Sequence, residues 1–205
     1  MKRFAEFSLL LGIVLMIFSV TGCRSEKNDR EEMRDMLTGK KILMVIAPEN
    51  FRCEELLVPQ EIFEWQGAKV IIASKVTGEI KGMYGAVTEA DVTLPEVEPG
   101  DYDAVVFVGG SGARQYWDDP AVHELARSFR DENKVIGAIC IAPVILDRAG
   151  ILEGREISIF HSAASEIKTA QVMNDRVTVD GNIVTGNGPD AAEEFAGAIV
   201  DRLTK

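Results

Sequence analysis

Beyond Lys40 the chain alternates between uninterrupted apolar runs and segments whose apolar residues recur at helical spacing. Ile42-Leu43-Met44-Val45-Ile46-Ala47 contains no polar position. That pattern predicts a parallel strand buried on both faces, since a half-exposed strand would alternate. Residues 70–73, 103–108 and 135–139 read the same way. Between the first two lies a predicted helix over 54–66, with Leu57, Ile62 and Phe63 at helical spacing and Gly67 where a helix would stop. A second helix is predicted over 121–131, with Pro120 at its start and Val122, Leu125 and Phe129 on one face. A third runs through Leu146 and stops at Gly150. Residues 157–160 are short and β-like. Residues 177–179 and 183–185 flank Asp180-Gly181-Asn182, a hairpin turn signal. Asp190, with Glu193 three residues on, reads as a capping box for a last helix ending at Leu203. Strands and helices in this alternation make βαβ units, so the expected architecture is an α/β three-layer sandwich with a mostly parallel sheet. Ligands of such sheets bind beyond the carboxyl ends of the strands. The loops after Ala47, Val108, Ile139 and Phe160 are therefore where chemistry should be sought.

Composition narrows the function. The 205 residues are 46% hydrophobic and 27% charged, the balance of an ordinary globular domain. With 22 Lys+Arg against 33 Asp+Glu the net charge is −11. A chain so acidic is repelled by phosphate backbones, which excludes nucleic acid as the expected partner. Cys23, Cys53 and Cys140 are too few and too scattered for a disulfide framework or a four-ligand zinc site, and no metal is expected.

Lys2 and Arg3 precede an uncharged stretch from Phe7 to Cys23, too short to span a bilayer comfortably and organised like a secretory signal. It ends Val20-Thr21-Gly22-Cys23, which resembles a bacterial lipobox. The resemblance implies cleavage before Cys23, lipidation of its thiol, and an exported protein anchored to a membrane. Arg24 after it favours outer-membrane sorting. The expected organisation is a signal peptide over 1–22, a mixed-charge tether over 23–39 and one domain over 40–205.

Each of the four loops carries a reactive group: Cys53, Glu54 and Glu55 in the first, Gly109-Gly110-Ser111-Gly112 in the second, then Cys140, then His161. A thiol at a strand-to-helix turn feels the helix N-terminus, which lowers its pKa and favours the nucleophilic thiolate. The competing reading is an inert buried thiol. The glycine turn lacks the third glycine of a dinucleotide site and the Lys-Ser/Thr of a P-loop, and suits backbone N–H groups facing an oxyanion. His123 lies on a helix surface, which leaves His161 as the better partner for Cys140. Glu54 and Glu55 are not separable by composition. Cys53 lies near the predicted edge and either pairs with Cys140 in an oxidising compartment, if the two sulfurs approach disulfide distance, or is a buried small side chain.

Gly137-Ala138-Ile139-Cys140-Ile141-Ala142-Pro143 resembles the nucleophile elbow of the DJ-1/PfpI (ThiJ/PfpI) superfamily. Other segments match in the family's order: Ala47-Pro48-Glu49-Asn50-Phe51 with Glu54-Glu55-Leu56-Leu57-Val58-Pro59, then Tyr102 through Gly110, then Thr185-Gly186-Asn187-Gly188-Pro189 with Glu194-Phe195. The resemblance implies a flavodoxin-like fold and selects Glu55, four residues before Pro59, as the acid. It implies a Glu55–Cys140–His161 site with the backbone of Gly110 and Ile141 as oxyanion pocket, and no cofactor. Protease members carry His directly after the nucleophile, where this chain has Ile141. The implied activity is instead glyoxalase- or deglycase-type chemistry on a small carbonyl such as methylglyoxal, or on glycated protein. A redox-sensing or chaperone-like role of an oxidisable Cys140 is the alternative, and a cysteine peptidase the least favoured. Such proteins are often homodimers.

Overall fold

The computed structural model describes residues 35–205. Its elements are β1 Lys41–Val45, α1 Cys53–Trp65, β2 Lys69–Ser74, β3 Gly78–Lys81, β4 Val87–Ala90, β5 Val92–Thr93, β6 Ala104–Phe107, α2 Pro120–Asp131, β7 Val135–Ile139, α3 Pro143–Arg148, β8 Glu156–Ile157, β9 Gln171–Val172, β10 Val177–Asp180, β11 Ile183–Gly186 and α4 Ala192–Leu203. Seven strands form one sheet in the order β10-β11-β7-β6-β1-β2-β5. All neighbours pair in parallel except β10, which returns antiparallel along β11 at the edge. This is the expected mostly parallel α/β sheet. α1 packs with α4, and α2 with α3. The apolar run of β1 is almost wholly sealed, with no residue from Ile42 to Ala47 above 1% exposure. The chain steps from β1 outward to β2, then crosses back to lay β6 on the other side of β1. That reversal opens the crevice in which α/β sheets hold ligands.

Where the structure departs from the pattern, local chemistry explains it. In α1 it is Leu56 that is buried, while Leu57 is 43% exposed; the helix is turned so that Glu55 and Leu56 face inward. Asp190 and Glu193 do not cap α4, whose N-cap is Ala191 without a side-chain bond. A 3₁₀ turn over Pro189–Ala191 leads in instead, closed by the Ala191 N–H donating to the Gly188 carbonyl at 3.0 Å. At α2 the cap is a side chain: Asp119 accepts from the Ala121 N–H at 3.0 Å beside Pro120. The β-like stretch 157–160 contributes only Ile157 to a strand, and that strand pairs with β9 outside the main sheet. The hairpin β3–β4 had no signal to offer, because it buries only Ile80 and Ala90 among polar neighbours.

Residues 1–34 lie outside the described residues, and with them the expected signal sequence, the expected lipidation site Cys23 and most of the expected tether. The last residues of that tether belong to the domain. Residues 35–39 form a turn in which Leu37 is fully buried and its N–H donates to the Gln66 carbonyl at 2.8 Å. Leu37→Ala is therefore expected to destabilise the protein by about 2–4 kcal/mol. Urea denaturation would measure it; a change below about 0.5 kcal/mol would return these residues to the tether.

Candidate active site

Cys140 follows β7 at a turn where the strand gives way to the short helix α3. Its φ of +63° puts a side chain in the left-handed region, at a cost of about 1 kcal/mol for a non-glycine residue. Two hydrogen bonds hold it there. Its N–H donates to the Gly186 carbonyl of β11 at 2.9 Å, and its carbonyl accepts from the Phe160 N–H at 2.9 Å. The residue is strained because neighbouring segments over-determine its backbone.

Glu55, on the first turn of α1, is completely buried, whereas Glu54 is exposed and paired with Arg52 at 2.8 Å. The helix thus separates two adjacent carboxyls into a solvated one and a sealed one. Neither oxygen of Glu55 has a well-formed hydrogen bond to protein. The Cys140 thiol, the Arg52 charge and the Gly109 N–H favour its charge only weakly against desolvation. Burial pushes its pKa up to about 8, so the carboxyl holds its proton at neutral pH. Pro59, four residues on, has no N–H for the Glu55 carbonyl, which locally loosens the helix at that point.

Gly109 makes this approach possible. A methyl group on its Cα would stand 2.5 Å from Glu55 Oε2 and 2.6 Å from Cys140 Cβ. Gly110 adopts φ +95° against the backbone of the loop that leads into α1. The N–H groups of Gly110 and Ile141 both favour negative charge on the Cys140 sulfur.

The structure corrects the expectation of a low thiol pKa. Burial, and next the negative charge of an ionised Glu55, push Cys140 up to about 12. Helix α3, at six residues, does not reverse this. The two groups form one proton-sharing unit. While Glu55 keeps its proton, it exerts no repulsion on a thiolate and can donate a hydrogen bond to it. Desolvation alone then opposes the two backbone N–H groups.

A cavity of about 230 Å³ opens over the thiol. Gly110, Cys140 and Ile141 line it, together with Ser111, Ser162, Met83, Phe160 and Pro189. Arg52 and Arg114 complete the wall. The structure therefore brings together Glu55, Cys140, Gly110 and Ile141. It does not bring His161 to this cavity. That residue is exposed, stacks on Phe160 with ring centroids 4.4 Å apart, and lines an adjoining hollow of about 420 Å³. Phe160 and Pro189 are walls common to both. Cys53 and Cys140 are free thiols, and Cys53 is buried against Gly82 and Phe51. His123 is half-buried rather than solvated, with Nε2 2.8 Å from the Trp117 carbonyl. Arg52, Met83, Arg114 and Ser162 carry no motif that marks them along the chain, whereas Ser111 lies within the glycine turn. A basic residue beside each of two glycine- or acid-bearing loops, in so acidic a chain, is the signal that could have found the arginines.

Residues 40–202 match the family model described as DJ-1/PfpI family. An uncharacterized protein of Methanocaldococcus jannaschii is 39% identical over 210 residues, covering 100% of this chain and 98% of its own length. The deglycase PfpI of Pyrococcus furiosus is 34% identical over 151 residues, covering 73% of this chain and 90% of its own. A glutathione-independent glyoxalase of Caenorhabditis elegans is 28% identical over 170 residues, covering 82% and 91%. Among solved structures, a ThiJ/PfpI domain protein from Brachyspira murdochii superposes with a TM-score of 0.78 at 38% identity, over 80% of this chain and 95% of that one.

Proposed function

The chain belongs to the DJ-1/PfpI family, and from that premise we propose that Cys140 is the nucleophile of a cofactor-independent glyoxalase- or deglycase-type enzyme acting on reactive carbonyls. The observation that carries the reading is the pairing of a strained, nearly buried thiol with a carboxyl that holds its proton in the dry interior. Relatives named deglycase and glyoxalase support it.

Chemistry starts from the pair with one proton lost, in the minor arrangement where that proton has left the sulfur: Cys140 as thiolate, Glu55 as acid. Sulfur adds to the aldehyde carbon of methylglyoxal, and the carbonyl electron pair moves to oxygen, which takes the Glu55 proton to give a hemithioacetal. The N–H groups of Gly110 and Ile141 steady the negative charge as it passes. Glu55, now a carboxylate, removes the proton from that carbon while the ketone oxygen takes the proton of the new hydroxyl, and then returns its proton to the neighbouring carbon, leaving a thioester of a 2-hydroxy acid. Water hydrolyses the thioester, freeing the acid and the thiol. The sum is one aldehyde plus one water to one hydroxy acid, without redox change. Deglycation of an adduct begins with attack at the same sulfur.

His161 acts at most from the adjoining hollow. In a glutathione-free assay the chain is expected to turn over methylglyoxal, and His161→Ala to lower kcat/KM by less than about 10-fold, below the usual loss for a positioned acid–base group. No turnover removes the reading; a loss of a hundredfold would place the imidazole at the reacting atoms. The same unit would suit peroxide sensing, since a thiolate beside a hydrogen-bond donor is the oxidisable form. Export and anchoring through Cys23 belong to the proposal as its cellular setting, resting on the lipobox-like segment alone.

A further inference from the structure

The wall of the thiol cavity is chemically lopsided. Two arginines, Arg52 and Arg114, line it, and no acidic residue does, in a chain whose net charge is −11. Apolar groups from Met83, Ile141, Phe160 and Pro189 supply much of the remainder. The two arginines are held differently, Arg52 partly buried and Arg114 exposed at the mouth. Arg52 is three-quarters buried, donates to Glu54 at 2.8 Å and to the Tyr84 hydroxyl at 2.8 Å, and lies 4.6 Å from the centre of the Tyr84 ring. Arg114 stacks over Trp117 at 4.5 Å and, among the described residues, has no carboxylate within ion-pair distance. Aromatic shelves thus hold both guanidinium groups, which reduces the side-chain entropy lost when an anion docks.

We propose that this cavity selects carbonyl compounds carrying an anionic group, a carboxylate or a phosphate, with Arg52 and Arg114 holding that group while the carbonyl meets Cys140. The inference rests on the reading of Cys140 as the reacting thiol. The planar Arg114 guanidinium fork suits either anion, Arg52, whose own fork is held by Glu54 and Tyr84, adds positive charge nearby, and a space of about 230 Å³ leaves room for a small molecule only. The Glu54 carboxylate offsets part of the Arg52 charge, so Arg114 carries the larger share. Glu55 does not oppose binding, because at neutral pH it is uncharged. Neutral methylglyoxal enters the same cavity without using either arginine.

The test needs no turnover. Iodoacetate and iodoacetamide have nearly the same shape and both alkylate sulfur with loss of iodide, but only iodoacetate is an anion. Their rates at Cys140 in the full chain, read from the Cys140 peptide by mass spectrometry, are compared with those at a cysteine in a short unstructured peptide. The iodoacetate-to-iodoacetamide ratio at Cys140 is expected to exceed the peptide's by at least about 10-fold, equivalent to roughly 1.4 kcal/mol of preference. It should fall to the peptide's value in Arg52→Gln/Arg114→Gln, and stay high in Arg127→Gln, a charge change at an arginine paired with Glu124 elsewhere. Millimolar inorganic phosphate that slows iodoacetate, where acetate does not, marks the phosphate as the preferred anion; the reverse marks the carboxylate. A ratio equal to the peptide's, or one unmoved by the double substitution, overturns the inference while leaving Cys140 reactive. Failure of both reagents to label Cys140 removes the reacting-thiol reading, and the anion preference with it.

Discussion

Cys140→Ala is expected to lower methylglyoxal turnover by at least ~10³-fold while leaving the fold intact. The chemical half follows from the proposed attack, for which no other described thiol is placed: Cys53 is packed against Gly82 and Phe51. The structural half follows from how the residue is held. Its backbone bonds to Gly186 and Phe160 do not involve the sulfur. The alanine variant still has to occupy φ +63° and therefore keeps the strain. Cys140→Gly removes the Cβ that creates it. The two variants should be equally inactive, yet the glycine one should be more stable than the alanine one by about 1 kcal/mol. Chemical denaturation alongside the activity assay separates chemistry from strain. Activity retained in either variant would end the nucleophile reading. A glycine variant no more stable than the alanine one would mean that the elbow stores no strain.

Glu55→Gln gives the second large effect, and its signature lies in pH. The carboxyl's folded value is about 8, far above that of an exposed glutamate. Between the two values the native state keeps a proton that the unfolded chain releases. Stability from this group is therefore full in acid and is lost as pH rises towards 8. Across pH 5.5 to 8.5 the loss is about 3 kcal/mol, because each pH unit of differential protonation is worth about 1.4 kcal/mol. Glutamine has the same shape and does not ionise, so its variant should lack this decline. The measurement is the wild-type-minus-variant difference in unfolding free energy at both pH values. That subtraction cancels the groups common to both proteins. A difference that does not change with pH would show Glu55 ionised in the fold. Turnover should fall by about 10²-fold, mainly in kcat, since the carboxyl's role is to move protons.

Much of the fold is legible in the residues alone because the sheet announces itself. Strands buried on both faces must be apolar throughout, and four such runs mark out the parallel core along the chain. Cys140 and the glycine pair are legible for a related reason, since they sit where those runs stop. Elements that contribute little to the core leave little pattern. The hairpin β3–β4 hides one side chain per strand and the 3₁₀ turn before α4 is three residues long. The state of the thiol is not legible either. Proximity to a helix start can be counted along the chain, but desolvation depends on what covers the sulfur, and the group that opposes its charge is 85 positions away. His161 shows the same limit. Its place at a loop follows from the strand before it, but its side chain stacks on Phe160 and lines the neighbouring hollow.

The bond from the Cys140 N–H to the Gly186 carbonyl ties the elbow to a strand 46 residues later, while Glu55 and Gly109 come from long before it. The reacting centre thus has high contact order: it has no local version that a part-folded chain could assemble. Formation of the elbow must wait for β11 to join the sheet, one of its last strands in sequence. On a growing chain the thiol would stay an ordinary, unstrained cysteine until nearly the whole domain had emerged. The shielded, strained state of the thiol would then arise together with the fold, which makes the departure of its labelling rate from that of an ordinary cysteine a gauge of completed folding.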